Sequence, residues 1–194
     1  MIGAETATTT FGPLRHYTAA NDNQPRVIAL SGLAGSGKST AAAYLQFIGY
    51  ELVKFAGPLK DAMRAFGLSE RHIEGDLKEK PCPLLQGRTP RYAMQTIGKE
   101  WGRDIIGEHF WLGLWEARAL EVLDSGRRVV VDDCRFENEA DAVRKLGGKV
   151  IRLSGRGGIA GGHGSEQMDW AVDRVIQNLG TRDDLYEELS RVAA

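Results

Sequence analysis

The stretch GLAGSGKST, residues 32–40, constrains this chain more than any other. Gly32, Gly37, Lys38 and Ser39 stand at the spacing G-x-x-x-x-G-K-[ST]. Before them, RVIALSG is a short apolar run of the kind that forms a strand buried in a parallel sheet. After them, the spacing predicts a helix from Lys38 to about Phe47. Glycines at these positions let the backbone curl so that its N–H groups face an anion, and the following helix adds its positive end. The implied ligand is a nucleotide held by its phosphates through Gly35, Ser36, Gly37, Lys38, Ser39 and Thr40. In such a loop Lys38 reaches the β- and γ-phosphates and Ser39 ligates Mg²⁺.

The remainder alternates strands with helices. YELVKFA (50–56), RRVVVDD (127–133), KVIRLSG (149–155) and DRVIQNLG (173–180) read as strands. PLKDAMRAFG, LSERHIEGD, TPRYAMQTIGKEWGRDII, EHFWLGLWEARALEVLDSG, NEADAVRKLGG and TRDDLYEELSRVA read as helices, several with a glycine stop or a Thr cap. In the fourth of these, Trp111, Trp115, Ala119 and Val122 share one face and are candidate core. KPCPLLQGRTP, with three prolines, reads as loop. Alternation of this kind gives a parallel sheet covered on both faces. Residues 1–25 are polar and non-periodic and read as a flexible extension, with the folded domain spanning 26–194.

The chain has 194 residues with 42% hydrophobic and 26% charged, enough for one α/β core. A net charge of -1 gives no basic field for nucleic acid. No run approaches the ~20 apolar residues of a membrane span, and no basic-then-apolar leader is apparent. Cys82 and Cys134, far apart in sequence, suggest reduced thiols and a cytoplasmic setting. No Cys/His spacing suggests zinc.

Three further features bear on chemistry. VVVDDCRFENE (129–139) puts Asp132 and Asp133 at a strand's C-terminal end, where an acid commonly holds Mg²⁺. Alternation would send the two to opposite sides. Arg135 beside them suits a second anion. Arg91, Gln95 and Lys99 have i, i+4 spacing and would share a helix face, fit for a phosphate and a base edge or simply for solvent. RGGIAGGHGSE (156–166), with five glycines and with Arg156 inside it, suits a lid that closes over phosphates and excludes water, or a plain connector.

Taken together, GLAGSGKST, FAGPLKDAM (55–63), GRTPRYAMQTIGKEWGRDIIGEHFW (87–111), VVVDDCRFENEADAVRKLGGKVIRL (129–153) and HGSE (163–166) resemble the phage-type deoxynucleoside monophosphate kinases, a branch of the P-loop nucleoside monophosphate kinases. The resemblance runs from about 26 to 190. It implies a three-layer P-loop fold with a five-stranded parallel sheet, a monophosphate-binding region at about 55–108 and a lid at about 154–168. It implies ATP with Mg²⁺ as donor and a deoxynucleoside monophosphate as acceptor, with no nucleic-acid or membrane partner. A homodimer, and the host cytoplasm for a phage-encoded chain, also fit it. Position by position, Lys38 and the loop amides hold ATP, while Phe55, Pro58, Leu59 and Lys60 line the acceptor pocket. Arg91, Gln95 and Arg103 bind the acceptor's phosphate or base. Asp133 and Arg135 stand at the D-x-R positions, with Asp133 preferred to Asp132 as the metal-facing acid. Arg156 steadies the transferring group.

Two other classes share parts of this pattern. Kinases of phosphomevalonate or dephospho-coenzyme A use a similar loop, P-L-K turn and lid, but the T-P-R-x-x-M-Q block supplies a base reader they do not need. A regulatory ATP-binding module would turn over ATP with no acceptor, and the guanine motif N-K-x-D of GTP switches is absent.

Overall fold

A computed structural model describes residues 24–157 and 169–194. The central strand is β1 (Val27–Ser31), buried along its whole length. It is flanked by β3 (Arg128–Val131) and β4 (Lys149–Ser154), with β2 (Tyr50–Leu52) and β5 (Arg174–Gln177) outermost. All four pairings are parallel and the order is β2-β3-β1-β4-β5. Ala29 pairs with Val131 on one side and Val150 on the other. After β3 the chain crosses to the other side of β1, so the crevice at the C-terminal ends of β1, β3 and β4 is where an open sheet of this kind binds its ligand.

Alternation along the strands separates two cores. Val27, Ala29, Val129, Val131 and Val150 face α5 (Phe110–Asp124) and α6 (Glu137–Lys145) through Trp115, Ala119, Ala140 and Val143. Ile28, Leu30, Val130, Ile151 and Ile176 face α1 (Lys38–Phe47) and α7 (Arg182–Ala193) through Ala41, Leu45, Leu185 and Leu189. A third, smaller cluster of Met63, Leu68, Ile73, Cys82 and Met94 joins α2 (Gly57–Ala65), α3 (Glu70–Ile73) and α4 (Pro90–Thr96). That cluster builds the outlying wall facing the crevice.

The helix expected over 89–106 changes character midway. After α4, residues Ile97–Ile106 widen into a π-helical segment. The cause is visible in its glycines. Trp111 donates its indole N–H to the Gly98 carbonyl at 2.8 Å. A Cβ on Gly102 would stand 2.2 Å from that same indole nitrogen. The tryptophan therefore lies across a helix whose i→i−4 ladder is opened to receive it. Widening also shifts the phase of the helix. Arg91 and Gln95 reach the crevice, whereas Lys99 turns outward and pairs with Asp104 at 2.8 Å, so the three do not share one face. Trp111 itself is half-buried rather than core.

Candidate active site

The phosphate loop keeps its curl through Gly32, Gly35 and Gly37, with φ of 137°, 79° and 101°. Residues with a side chain rarely adopt such values. Lys38 lies back on its own loop, donating to the carbonyls of Gly32 at 2.6 Å and Leu33 at 2.9 Å. Burial holds its ammonium below the usual lysine range, and Arg135 pushes the same way against Asp132 and Asp133. Ser39 is exposed on the first turn of α1. Ser36 is buried, its carbonyl accepts from Asn178 Nδ2 at 2.9 Å, and its hydroxyl has no partner. Asn178, directly after β5, is a positioning residue that the sequence signals only as a polar residue ending a strand.

The two aspartates after β3 do different things. Asp133 accepts from the backbone N–H of Phe55 at 2.9 Å through one oxygen and of Ala56 at 3.0 Å through the other. It thereby pins the turn leading into α2. Burial raises its pKa against those two bonds. Asp132 pairs with Lys54 at 3.1 Å through one oxygen, and its other oxygen is buried without a partner. Asp132 therefore carries an oxygen with no hydrogen-bond partner, in electrostatic reach of Lys38. Asp133, singled out from the sequence as the metal-facing acid, has each of its oxygens bonded to one backbone amide.

Between Asp133 and α4 lies a cavity of about 310 Å³. Its walls include Phe55, Leu59, Lys60, Arg91, Gln95, Arg103, Asp133 and Arg135, which sequence reasoning had singled out. Pro58 is buried and is not a wall residue; Arg156 is also elsewhere. The Arg156 guanidinium donates to the carbonyls of Leu179 and Gly180, after β5. The rest of the glycine-rich loop, with His163, lies outside the described residues.

Sequence reasoning missed Glu74, Lys78, Met94, Trp111, Phe136, Asn138 and Glu139, which also line the cavity. Lys78 is the most telling. Burial lowers its pKa, and Arg91, Lys60 and Arg135 lower it further, against Glu74. Glu74 is bound to Lys60 at 2.5 Å and Arg91 to Glu79. Among the described residues Lys78 and Arg135 make no salt bridge. One end of the cavity is therefore cationic beyond what its own acids neutralise, as a site for a doubly charged anion must be. Arg135 lowers the pKa of both Lys38 and Lys78, so it stands within electrostatic reach of the phosphate loop and of the cavity. Arg103, also on the cavity wall, lies over the Phe136 ring at 4.5 Å and 4.0 Å from Glu139.

No protein-family model matches the chain. Over 184 residues it is 36% identical to an inferred deoxynucleotide monophosphate kinase of Acanthamoeba polyphaga mimivirus, covering 84% of this chain and 93% of that one. The chain belongs to the deoxynucleotide monophosphate kinase family. It is accordingly a phosphotransferase. Among solved structures it is similar to APS kinase of Mycobacterium tuberculosis, with a TM-score of 0.50 and 14% identity over 87% of this chain and 96% of that one. At that identity the likeness is one of fold. Shikimate kinase of Aquifex aeolicus matches with a TM-score of 0.45 and 11% identity over 86% of this chain and 95% of that one. No helix among the described residues is long and apolar enough to cross a membrane.

Proposed function

We propose that this kinase transfers the γ-phosphoryl group of ATP to the 5′-phosphate of a deoxynucleoside monophosphate. The observation that carries the reading is the position of Arg135, which acts on both the loop lysine Lys38 and the cavity lysine Lys78. A donor phosphate at the first and an acceptor phosphate at the second would meet at its guanidinium.

The residues fit the implied groups. The curled loop offers the amides of Gly35 to Thr40 to the donor's phosphates. Among the described residues no group of three or more His, Cys, Asp or Glu is placed to hold a metal ion. Ser39 and Asp132 would hold Mg²⁺, which supplies neutralisation of phosphate charge. Lys60, Lys78, Arg91 and Arg135 would take the acceptor's phosphate, with Phe55 and Leu59 against its sugar and base.

The chemistry asks for positioning and charge rather than for a base. An acceptor phosphate oxygen attacks the γ-phosphorus, the bond to the β-phosphate oxygen breaks, and ADP leaves. Two anions have to be brought together. Lys38 and Arg135 offset that repulsion and stabilise the charge of the transferring group in a site where they need not reorganise. Asp133 contributes by fixing Phe55 and Ala56, and Asn178 by fixing the loop at Ser36.

The test is ADP formation with ATP and Mg²⁺ while dAMP, dGMP, dCMP, dTMP, the ribonucleotides and phosphomevalonate are added one at a time. Stimulation by deoxynucleotides that disappears in Lys38→Ala supports the reading. Stimulation by phosphomevalonate alone, or ATP turnover indifferent to any acceptor, would sink it.

A further inference from the structure

Arg135 is exposed and makes no salt bridge among the described residues, yet the backbone that carries it is held on both sides. Its N–H is bonded by Glu139 Oε2 at 2.7 Å, and the same oxygen accepts the N–H of Phe136 at 3.1 Å. Its carbonyl accepts the indole N–H of Trp170 at 3.3 Å. The peptide between Arg135 and Phe136 is therefore bonded at both edges, its N–H by an acid of α6 and its C=O by a tryptophan of the segment leading into β5.

Trp170 is not a wall residue of the cavity. It is 9% exposed and packs in the core that also holds Cys134, Ala140 and Val150. Other contacts fix its position independently of Arg135. Arg152 of β4 donates to the Trp170 carbonyl at 2.9 Å, and its guanidinium stands 5.1 Å from the ring centroid. Arg144 of α6 donates to the Ala171 carbonyl at 2.6 Å. Asp173 donates its backbone N–H to the Val150 carbonyl at 2.9 Å and accepts the Val150 N–H on its carboxylate at 2.7 Å. Residues 170–173 are thus tied to β4 and α6, and the indole is a fixed point rather than a ring that follows Arg135. A buried indole N–H requires an acceptor, and here the acceptor is the carbonyl of Arg135.

We propose that Trp170 is a positioning residue for Arg135. This rests on the phosphoryl-transfer reading above. Arginine is a long side chain with much rotamer freedom, and no ion pair holds this one before substrates arrive. What the protein sets in advance is the direction in which the side chain leaves the backbone. Glu139 and Trp170 set it together, from opposite edges of one peptide. Without the indole N–H, that peptide is free to tilt about the Glu139 carboxylate, and the guanidinium moves with it. Misplacing a charge that stabilises the transferring group lowers the rate of the chemical step and leaves binding of the donor at its own loop untouched.

The test is initial-rate kinetics on the full chain with ATP, Mg²⁺ and a deoxynucleoside monophosphate that stimulates ADP formation. Trp170→Phe keeps an aromatic ring in the core and removes the N–H. The expected result is a kcat about tenfold lower with the KM for ATP unchanged. The same substitution made in Arg135→Gln should cost kcat nothing further, because the group being positioned is gone. A purely structural role would lower kcat by the same factor in both backgrounds, or lower the melting temperature and leave kcat alone, and either result overturns the proposal. If Trp170→Phe does not fold, benzothienylalanine is placed at 170 instead. It sets sulfur where the N–H stood at nearly constant volume, and it is held to the same two expectations. Wild-type kcat in these variants removes the positioning role and leaves the kinase reading standing. No deoxynucleotide-dependent turnover by the wild type overturns both.

Discussion

Buried Glu139 and partly buried Asp133 each satisfy two backbone N–H groups of a neighbouring turn, and this makes them costly to remove. Asp133→Ala strands the amides of Phe55 and Ala56, and urea unfolding should show a loss of about 2–4 kcal/mol. Glu139 carries a second signature. Its folded pKa of about 7 lies above its ordinary 4.5, so between those values the folded state binds more protons than the unfolded one. Stability then falls as pH rises through that window, by up to about 3 kcal/mol from this group. Asp133 acts in the same direction. Denaturation of wild type and Glu139→Gln across about pH 4.5 to 8 isolates the Glu139 share, and the variant should show the shallower slope. Cys134 sits between these acids, and burial pushes its thiol far above the usual range. It should resist alkylation until the protein is denatured.

At the scale of elements, the strands, the phosphate loop and most helices were legible because their signals are local: apolar runs of strand length, glycines at fixed offsets, Thr caps and glycine stops. The π-helical stretch was not. A 3.6-residue period is the only helical pattern that spacing offers, and what opens Ile97–Ile106 is a contact with Trp111, a residue of the next helix. The same limit misplaced Lys99 and hid the cavity face of Trp111. Gly102→Ala tests the account. Its methyl would collide with the Trp111 indole, so the variant should lose about 1–3 kcal/mol of stability and weaken acceptor binding through the neighbouring Arg103. Asn178 was illegible for a related reason, since its partner Ser36 lies 142 residues away. Asn178→Ala should raise the KM for ATP about tenfold, by loosening the loop at the Ser36 carbonyl, while the KM for the acceptor stays near wild type.

Across the whole molecule the net charge of -1 conceals a strongly uneven distribution. Lys60, Lys78, Arg91 and Arg135 converge on one end of one cavity although they come from α2, the segment after α3, α4 and the turn before α6. No local pattern announces Lys78, because it lies outside any periodic segment and its meaning arises only when the other three surround it. Its charge is held there at a cost. Partial burial and three like charges disfavour the ammonium, and the one acid that favours it, Glu74, is shared with Lys60. A neutral side chain of similar length should therefore leave the fold as stable as before or slightly more so, while depriving the acceptor phosphate of a charge-assisted bond. Lys78→Met is expected to unfold at or above the wild-type temperature and to raise the KM for the deoxynucleotide about tenfold or more, with the KM for ATP unchanged. Arg135→Gln should behave differently, because in the proposed reaction it would serve both ends of the transfer: an exposed residue with no ion pair to lose among the described residues, it should leave stability intact and lower kcat by about a hundredfold. Melting curves and initial-rate kinetics on the two variants separate these roles. A Lys78→Met enzyme with unchanged acceptor KM would remove the phosphate from that end of the cavity, and an Arg135→Gln enzyme with normal kcat would move the transfer away from the guanidinium that links the two sites.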